Sequence, residues 1–240
     1  MANFALLIDF GSTYTKLRAI DLDGRRIVAA GQGPSTVNSD ITVGMKAALA
    51  DLERHWGGLP RFKYRLASSS AAGGLRMVTI GLVRELTAQA AREAALGAGA
   101  KLIATFAYRL NAGDLAEIER LAPDILLLAG GTDGGNSEVI LHNARALGGS
   151  SLACPIVYAG NRDAADEACA LLAGKTMTRT ENVMPEFNQL NIEPARAVLR
   201  RIFIDRIVHA KGIDRAAAEF DHVLMPTPAA VLEGARLVAD

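Results

Sequence analysis

The residues best equipped for chemistry stand near the amino terminus, in the run Asp9-Phe10-Gly11-Ser12-Thr13-Tyr14-Thr15-Lys16. A carboxylate at the end of an apolar stretch is followed there by a glycine, a pair of hydroxyls and an ammonium group, which is a phosphate-handling set. Gly11 allows a tight turn, so that backbone N–H groups and the hydroxyls of Ser12 and Thr13 can approach phosphate oxygens closely. Asp9 is placed to hold Mg²⁺ through water, and Lys16 to offset charge developing on a phosphoryl group. The same residues also read as an ordinary hairpin turn with an exposed polar cluster.

A second candidate is Ala129-Gly130-Gly131-Thr132-Asp133-Gly134-Gly135-Asn136. It leaves a continuously apolar run and enters a helical pattern, where free N–H groups and the helix dipole attract anions. No Lys-Ser or Lys-Thr pair follows, so it is not a Walker A loop, and it does not match GxGxxG. A cramped strand-to-helix turn accounts for its glycines equally well. The small-residue loop 68–74 reads as a flexible turn or as a close-approach loop, and 181–185 as a domain junction or a plain loop. His55, His142, His209 and His222 are scattered without an HExxH pattern, and no GxSxG is present, so neither a histidine-ligated metal centre nor a hydrolase triad is expected.

The elements that must position these residues alternate in type. Strands are expected at 4–10, 15–21 and 25–31, the last two joined by Asp23-Gly24, a hairpin signal. Asn38 or Ser39 is expected to cap a helix reaching Trp56, with Ile41, Met45, Ala48, Leu49 and Leu52 on one face. Strands at 62–68 and 75–82 follow. From residue 83 four helices alternate with four strands (101–108, 124–129, 155–159 and 176–180), the pattern of a small doubly wound parallel sheet of flavodoxin-like type. A long helix at 193–210, a short helical stretch, a strand near 222–225 and a helix over 229–238 complete the chain. The division expected is 1–82 plus 186–240 as one outer domain, with 83–185 inserted.

Composition bounds the function. In 240 residues, 50% are hydrophobic and 22% charged, enough apolar material for a filled core. Lys plus Arg equals Asp plus Glu at 26 each, which gives no electrostatic reason to expect nucleic acid or an anionic membrane as partner. Two cysteines outside any CxxC pair, and an amino-terminal apolar run too short to span a bilayer, point to a cytoplasmic protein.

Several segments together resemble one family. The turn DFGSTYTK resembles the first phosphate motif of the actin, heat-shock-protein-70 and sugar-kinase superfamily. Segments 67–100 (ASSSAAGGLRMVTIGLVRELTAQAAREAALGAGA), 123–136 (PDILLLAGGTDGGN), 181–196 (ENVMPEFNQLNIEPAR) and 225–237 (MPTPAAVLEGARL) resemble the glutamate mutase accessory proteins, called GlmL or MutL and unrelated to mismatch repair. The resemblance implies an α/β fold: the amino-terminal half of an actin-like ATPase (ribonuclease H-like) domain with an inserted doubly wound parallel domain. It further implies ATP and Mg²⁺ as cofactors, and an ATP-dependent reactivating role beside an adenosylcobalamin-dependent mutase such as methylaspartate (glutamate) mutase or an aminomutase. Carried over by position, Asp9, Gly11, Ser12, Thr13, Thr15 and Lys16 fall on the phosphate motif, with Asp9 and Lys16 as its catalytic pair. Gly130, Gly131, Thr132, Asp133, Gly134 and Gly135 fall on a family signature without an assigned role.

Members of that family are about twice as long and continue into a second phosphate motif and an adenosine-binding segment, neither of which is matched here. The expectation is therefore a portion of a longer protein, with weak nucleotide affinity by itself. Two other readings stay open: a non-catalytic docking module for the mutase or its cobalamin domain, and a kinase- or hydantoinase-type relative.

Overall fold

The computed structural model describes residues 3–36, 39–69, 74–210 and 221–239. The chain divides into two compact units, Met1–Gly74 with Ile202–Asp240, and Leu75–Arg201. The expected boundaries at 82/83 and 185/186 thus differ from those observed.

In the first unit, β1 (Phe4–Phe10), β2 (Tyr14–Asp21) and β3 (Arg26–Pro34) form an antiparallel meander. The strand β4 (Tyr64–Ser69) adds parallel to β1, and β10 (His222–Pro226) adds parallel to β4. The sheet order is β10-β4-β1-β2-β3. This mixed sheet agrees with the ribonuclease H-like domain expected. Successive side chains of a strand point to opposite faces, so register decides what each residue meets. Ile8 lies opposite Leu17 and Leu6 opposite Ala19, and all four are buried.

The helix α1 (Ile41–Trp56) lies against β3 and β2, burying Ile41, Met45, Ala48 and Leu52 at helical spacing. Its cap is Asp40, whose side chain accepts from the Thr42 N–H at 2.9 Å, one residue beyond the Ser39 expected; Asn38 lies outside the described residues. Glycines set the closeness of this packing. A Cβ on Gly33 would stand 2.6 Å from the Gly44 carbonyl oxygen, and one on Gly44 2.3 Å from that of Pro34.

The second unit is a five-stranded, all-parallel sheet. Its strands are β5 (Leu75–Gly81), β6 (Ala100–Ala107), β7 (Ile125–Leu128), β8 (Ile156–Tyr158) and β9 (Met177–Arg179), in the order β6-β5-β7-β8-β9. Counted within the unit this is 2-1-3-4-5, the flavodoxin-like order. Four strands were expected. The fifth, β5, belongs here because it pairs with both β6 and β7. Its run Met77-Val78-Thr79-Ile80 is buried on both faces, which suits a central parallel strand and not the rim of another sheet.

The helices α2 (Arg84–Ala95), α3 (Ala112–Leu121), α4 (Glu138–Gly148) and α5 (Ala165–Leu171) link these strands. Ile118, Ile140, Ala144, Leu147 and Ala168 join Val78, Ile80, Leu126, Leu128 and Ile156 in one core. The helix α6 (Glu193–Ala210) begins in this unit, where the Arg196 guanidinium donates to the Glu93 carbonyl at 2.7 Å. That bond carries the unit past the boundary expected at residue 185. The short helical stretch expected after α6 lies outside the described residues. The last helix, α7 (Thr227–Ala239), belongs to the first unit and starts two residues earlier than expected.

Candidate functional site

The turn between β1 and β2 is braced from within. The Gly11 N–H donates to the Tyr14 carbonyl at 3.0 Å, and a Cβ on Gly11 would stand 2.7 Å from that same oxygen. Gly11 was expected among the phosphate-binding residues as the one that allows the tight turn. Its amide is engaged, and the residue acts by letting the turn close. From the end of β3, the Ser35 hydroxyl donates to the Gly11 carbonyl at 2.7 Å and the Ser35 N–H to that of Thr13 at 2.9 Å. Ser12 and Thr13 are exposed, and their own N–H groups have no acceptor among the described residues. Free, fixed and solvent-facing amides are what an anion-binding turn requires.

Register sorts the remaining residues. Asp9 lies opposite Lys16, and Phe10 opposite Thr15. Directly opposed residues of an antiparallel pair share a face, so Asp9 and Lys16 stand together on one side of the sheet and Thr15 on the other. Thr15 is fully buried beside Phe10, and its hydroxyl finds no partner among the described residues. The expectation that Thr15 touches phosphate is therefore corrected: the period-two alternation turns it into the core.

Two residues outside the motif join Asp9. Ser68 is its register partner on β4, and Thr227 is the first residue of α7. The Thr227 hydroxyl donates to Asp9 Oδ1 at 2.8 Å, the Ser68 hydroxyl reaches the same oxygen at 3.4 Å, and the two hydroxyls are 3.4 Å apart. The group collects at the carboxyl ends of the parallel strands β1, β4 and β10, and at the amino end of α7, where negative charge is favoured. Oδ1 is so held, and Oδ2 accepts no hydrogen bond among the described residues. No three His, Cys, Asp or Glu side chains gather as a metal cage among the described residues. Lys16 is exposed and forms no ion pair among the described residues. Ser68 opens the loop 68–74 that the sequence offers as a flexible turn or as a close-approach loop beside a nucleotide or a partner, whereas nothing there singles out Thr227; the available signal for it was Thr227-Pro228 ahead of an apolar run, the pattern of a helix start.

The glycine-rich turn 130–136 lies in the second unit and is held differently. Gly130, Gly131 and Gly134 have positive φ (125°, 73° and 73°), and a Cβ on Gly131 would fall 2.1 Å from the Asn136 carbonyl oxygen. Asp133 Oδ1 accepts from the Arg162 N–H and from Asn182 Nδ2, each at 2.9 Å. Asn182 Nδ2 also donates to the Gly131 carbonyl at 2.9 Å, and the Asp133 N–H to that of Pro185 at 2.9 Å. Asn161, 1% exposed, donates to the Gly135 carbonyl at 3.1 Å. Asp133, expected among ligand-binding residues, is thus occupied in fixing the loop. Tyr158 behind the loop is buried, which pushes its phenol pKa up, and its hydroxyl donates to the Asn161 carbonyl at 2.6 Å. It serves as a neutral donor.

No helix among the described residues is long and apolar enough to cross a membrane. Among solved structures, a nucleotide-free acetone carboxylase aligns over 89% of this chain and 35% of its own, with 14% identity and a TM-score of 0.39. The signal receiver domain of the response regulator NarL from Mycobacterium tuberculosis aligns over 57% and 98%, with 14% identity and a TM-score of 0.35. In sequence the likeness is much stronger. Protein MutL of Clostridium tetanomorphum is 50% identical over 238 residues, 98% of this chain and 52% of that protein, so the chain spans about half the length of its relative. The MutL protein family model matches residues 5–240. The chain belongs to the MutL protein family.

Proposed function

We propose that this chain is the nucleotide-binding portion of an ATP-dependent accessory protein that reactivates an adenosylcobalamin-dependent mutase, of the glutamate mutase or aminomutase kind, in the cytoplasm. The observation that carries the nucleotide reading is the convergence of Asp9, Lys16, Ser68 and Thr227 beside the unengaged amides of Ser12 and Thr13. When bound, ATP supplies a cleavable phosphoanhydride. The Ser12 and Thr13 amides would hold its phosphate oxygens, Asp9 would orient a hydrated Mg²⁺, and Lys16 would offset charge on the reacting phosphoryl group. Membership of the MutL family and the resemblance over the four long segments support the mutase part of the reading.

The test is Asp9→Asn in the full-length protein, assayed for rescue of the inactivated mutase and for binding to it. Loss of rescue with retained mutase binding is expected. Undiminished rescue would make nucleotide incidental and turn the chain into a docking module.

A further inference from the structure

The two segments left without a role by the nucleotide reading, 130–136 and 181–187, meet in the second unit. Asn182, 4% exposed, ties them together through the Gly131 carbonyl and Asp133 Oδ1, and its own Oδ1 accepts from the Met184 N–H at 3.0 Å. Between these segments and the start of α2 lies a cavity of about 340 Å³, walled by Leu82, Val83, Leu86, Ala90, Val183 and Met184. It opens at the carboxyl ends of β5 and β7. There the chain leaves β5 for β6 on one side of it and returns to β7 on the other. This is the topological switch point, where open α/β sheets hold their ligands.

We propose that this cavity is a binding site for a small, uncharged and largely apolar molecule of the size of a fused aromatic ring pair. The cavity is a cleft half open to solvent, of ligand size and with a fixed, mostly apolar wall, which is the form small-molecule sites take. The wall is fixed by the Asn182 clamp and by Gly131, whose backbone has no room for a Cβ. No ionisable side chain lines the cavity among the described residues, so a charged ligand would shed its hydration without a counter-charge. The nearest carboxylate on the loop, Asp133, is already committed to Arg162 N–H and Asn182. Polar atoms are limited to groups such as the Thr132 hydroxyl and the Asn136 amide, enough to orient one edge of a neutral ring. At the mouth, Val83 and Phe187 are apolar yet 36% and 72% exposed, surface that an occupant would cover. The site lies wholly within the second unit and does not rest on the nucleotide reading.

The experiment titrates the full chain, carrying ¹³C-labelled methyl groups, with 2-naphthol, 2-naphthoate and 2-naphthylmethylammonium at neutral pH. Expected are saturable shifts of the Leu82, Val83, Val183 and Met184 methyls with 2-naphthol. The two charged analogues should bind about tenfold more weakly or worse, from the cost of burying an unpaired charge. Val83→Trp, at a position exposed enough to accept the ring, should fill the mouth and abolish the shifts while the remaining methyl spectrum stays in place; Leu86→Phe fills the same space from inside. Equal binding of all three compounds overturns the proposal. So do shifts that do not saturate or that spread over other surfaces, or 2-naphthol binding undiminished in a folded Val83→Trp or Leu86→Phe protein.

Discussion

A single carboxylate illustrates how much a neighbour can decide. Asp9 has one oxygen tied to hydroxyls from two other elements, and the 2.8 Å bond from Thr227 is the shorter of the two. A hydrogen bond to a charged acceptor contributes about 1.5–3 kcal/mol. On the nucleotide reading, Thr227→Val in the full-length protein should weaken Mg²⁺-dependent ATP binding by about tenfold or more, since about 1.4 kcal/mol is a factor of ten. Thr227→Ser, which keeps the hydroxyl, should restore most of it. Calorimetric titration with and without Mg²⁺ checks both, and equal affinities for valine and serine would remove Thr227 from the site. Thr15 makes the opposite case: one position from Lys16, it serves the core because the strand alternates.

At the scale of elements, the join between α1 and β3 depends on absent side chains and on one anchored acid. Gly44→Ala would drive a methyl to 2.3 Å from the Pro34 carbonyl oxygen, backbone that cannot step aside. Overpacking of this kind costs about 1–3 kcal/mol, readable as a lower urea midpoint with an unchanged slope. Asp51 on α1 accepts from the Gln32 N–H of β3 at 2.9 Å. That bond is the main cause of its lowered pKa, opposed by desolvation and aided by the charges of His55 and Arg54. A folded-state pKa below the unfolded one gives stability that is present above the unfolded value, near 4, and lost as pH falls through the folded one. The thermal midpoints of the wild type and Asp51→Asn should therefore differ at pH 7 and converge in acid below that range. A difference that persists undiminished there would detach the effect from the carboxylate charge.

On the scale of the whole molecule, the chain is two units with separate sheets and separate cores. Residues 75–201 contain all five strands of the parallel sheet and the helices that cover it. Expressed alone, that stretch should fold, with one cooperative urea transition and the circular dichroism of an α/β protein. The stretch 83–185, the division expected from sequence, lacks β5. Its sheet would lose the strand that pairs with both β6 and β7, and it should not fold cooperatively.

Local chemistry was legible in the sequence. The Asp23-Gly24 hairpin, the alternation of helices and strands after residue 83, and the long helix at 193–210 follow from turn preference and hydrophobic period, which act over a few residues. The resemblance carried by 67–100 and 181–196 was legible for the same reason, being linear. Tertiary structure alone decided which sheet β5 would join, because Met77 to Ile80 is equally apolar in either setting and pairing partners lie 25 to 48 residues away. It alone brought Thr227 to Asp9 across 218 positions, and Ser68 to the same carboxylate across 59. Such long-range closures are selected by packing and register, which depend on the whole chain and leave no mark on any short stretch of it.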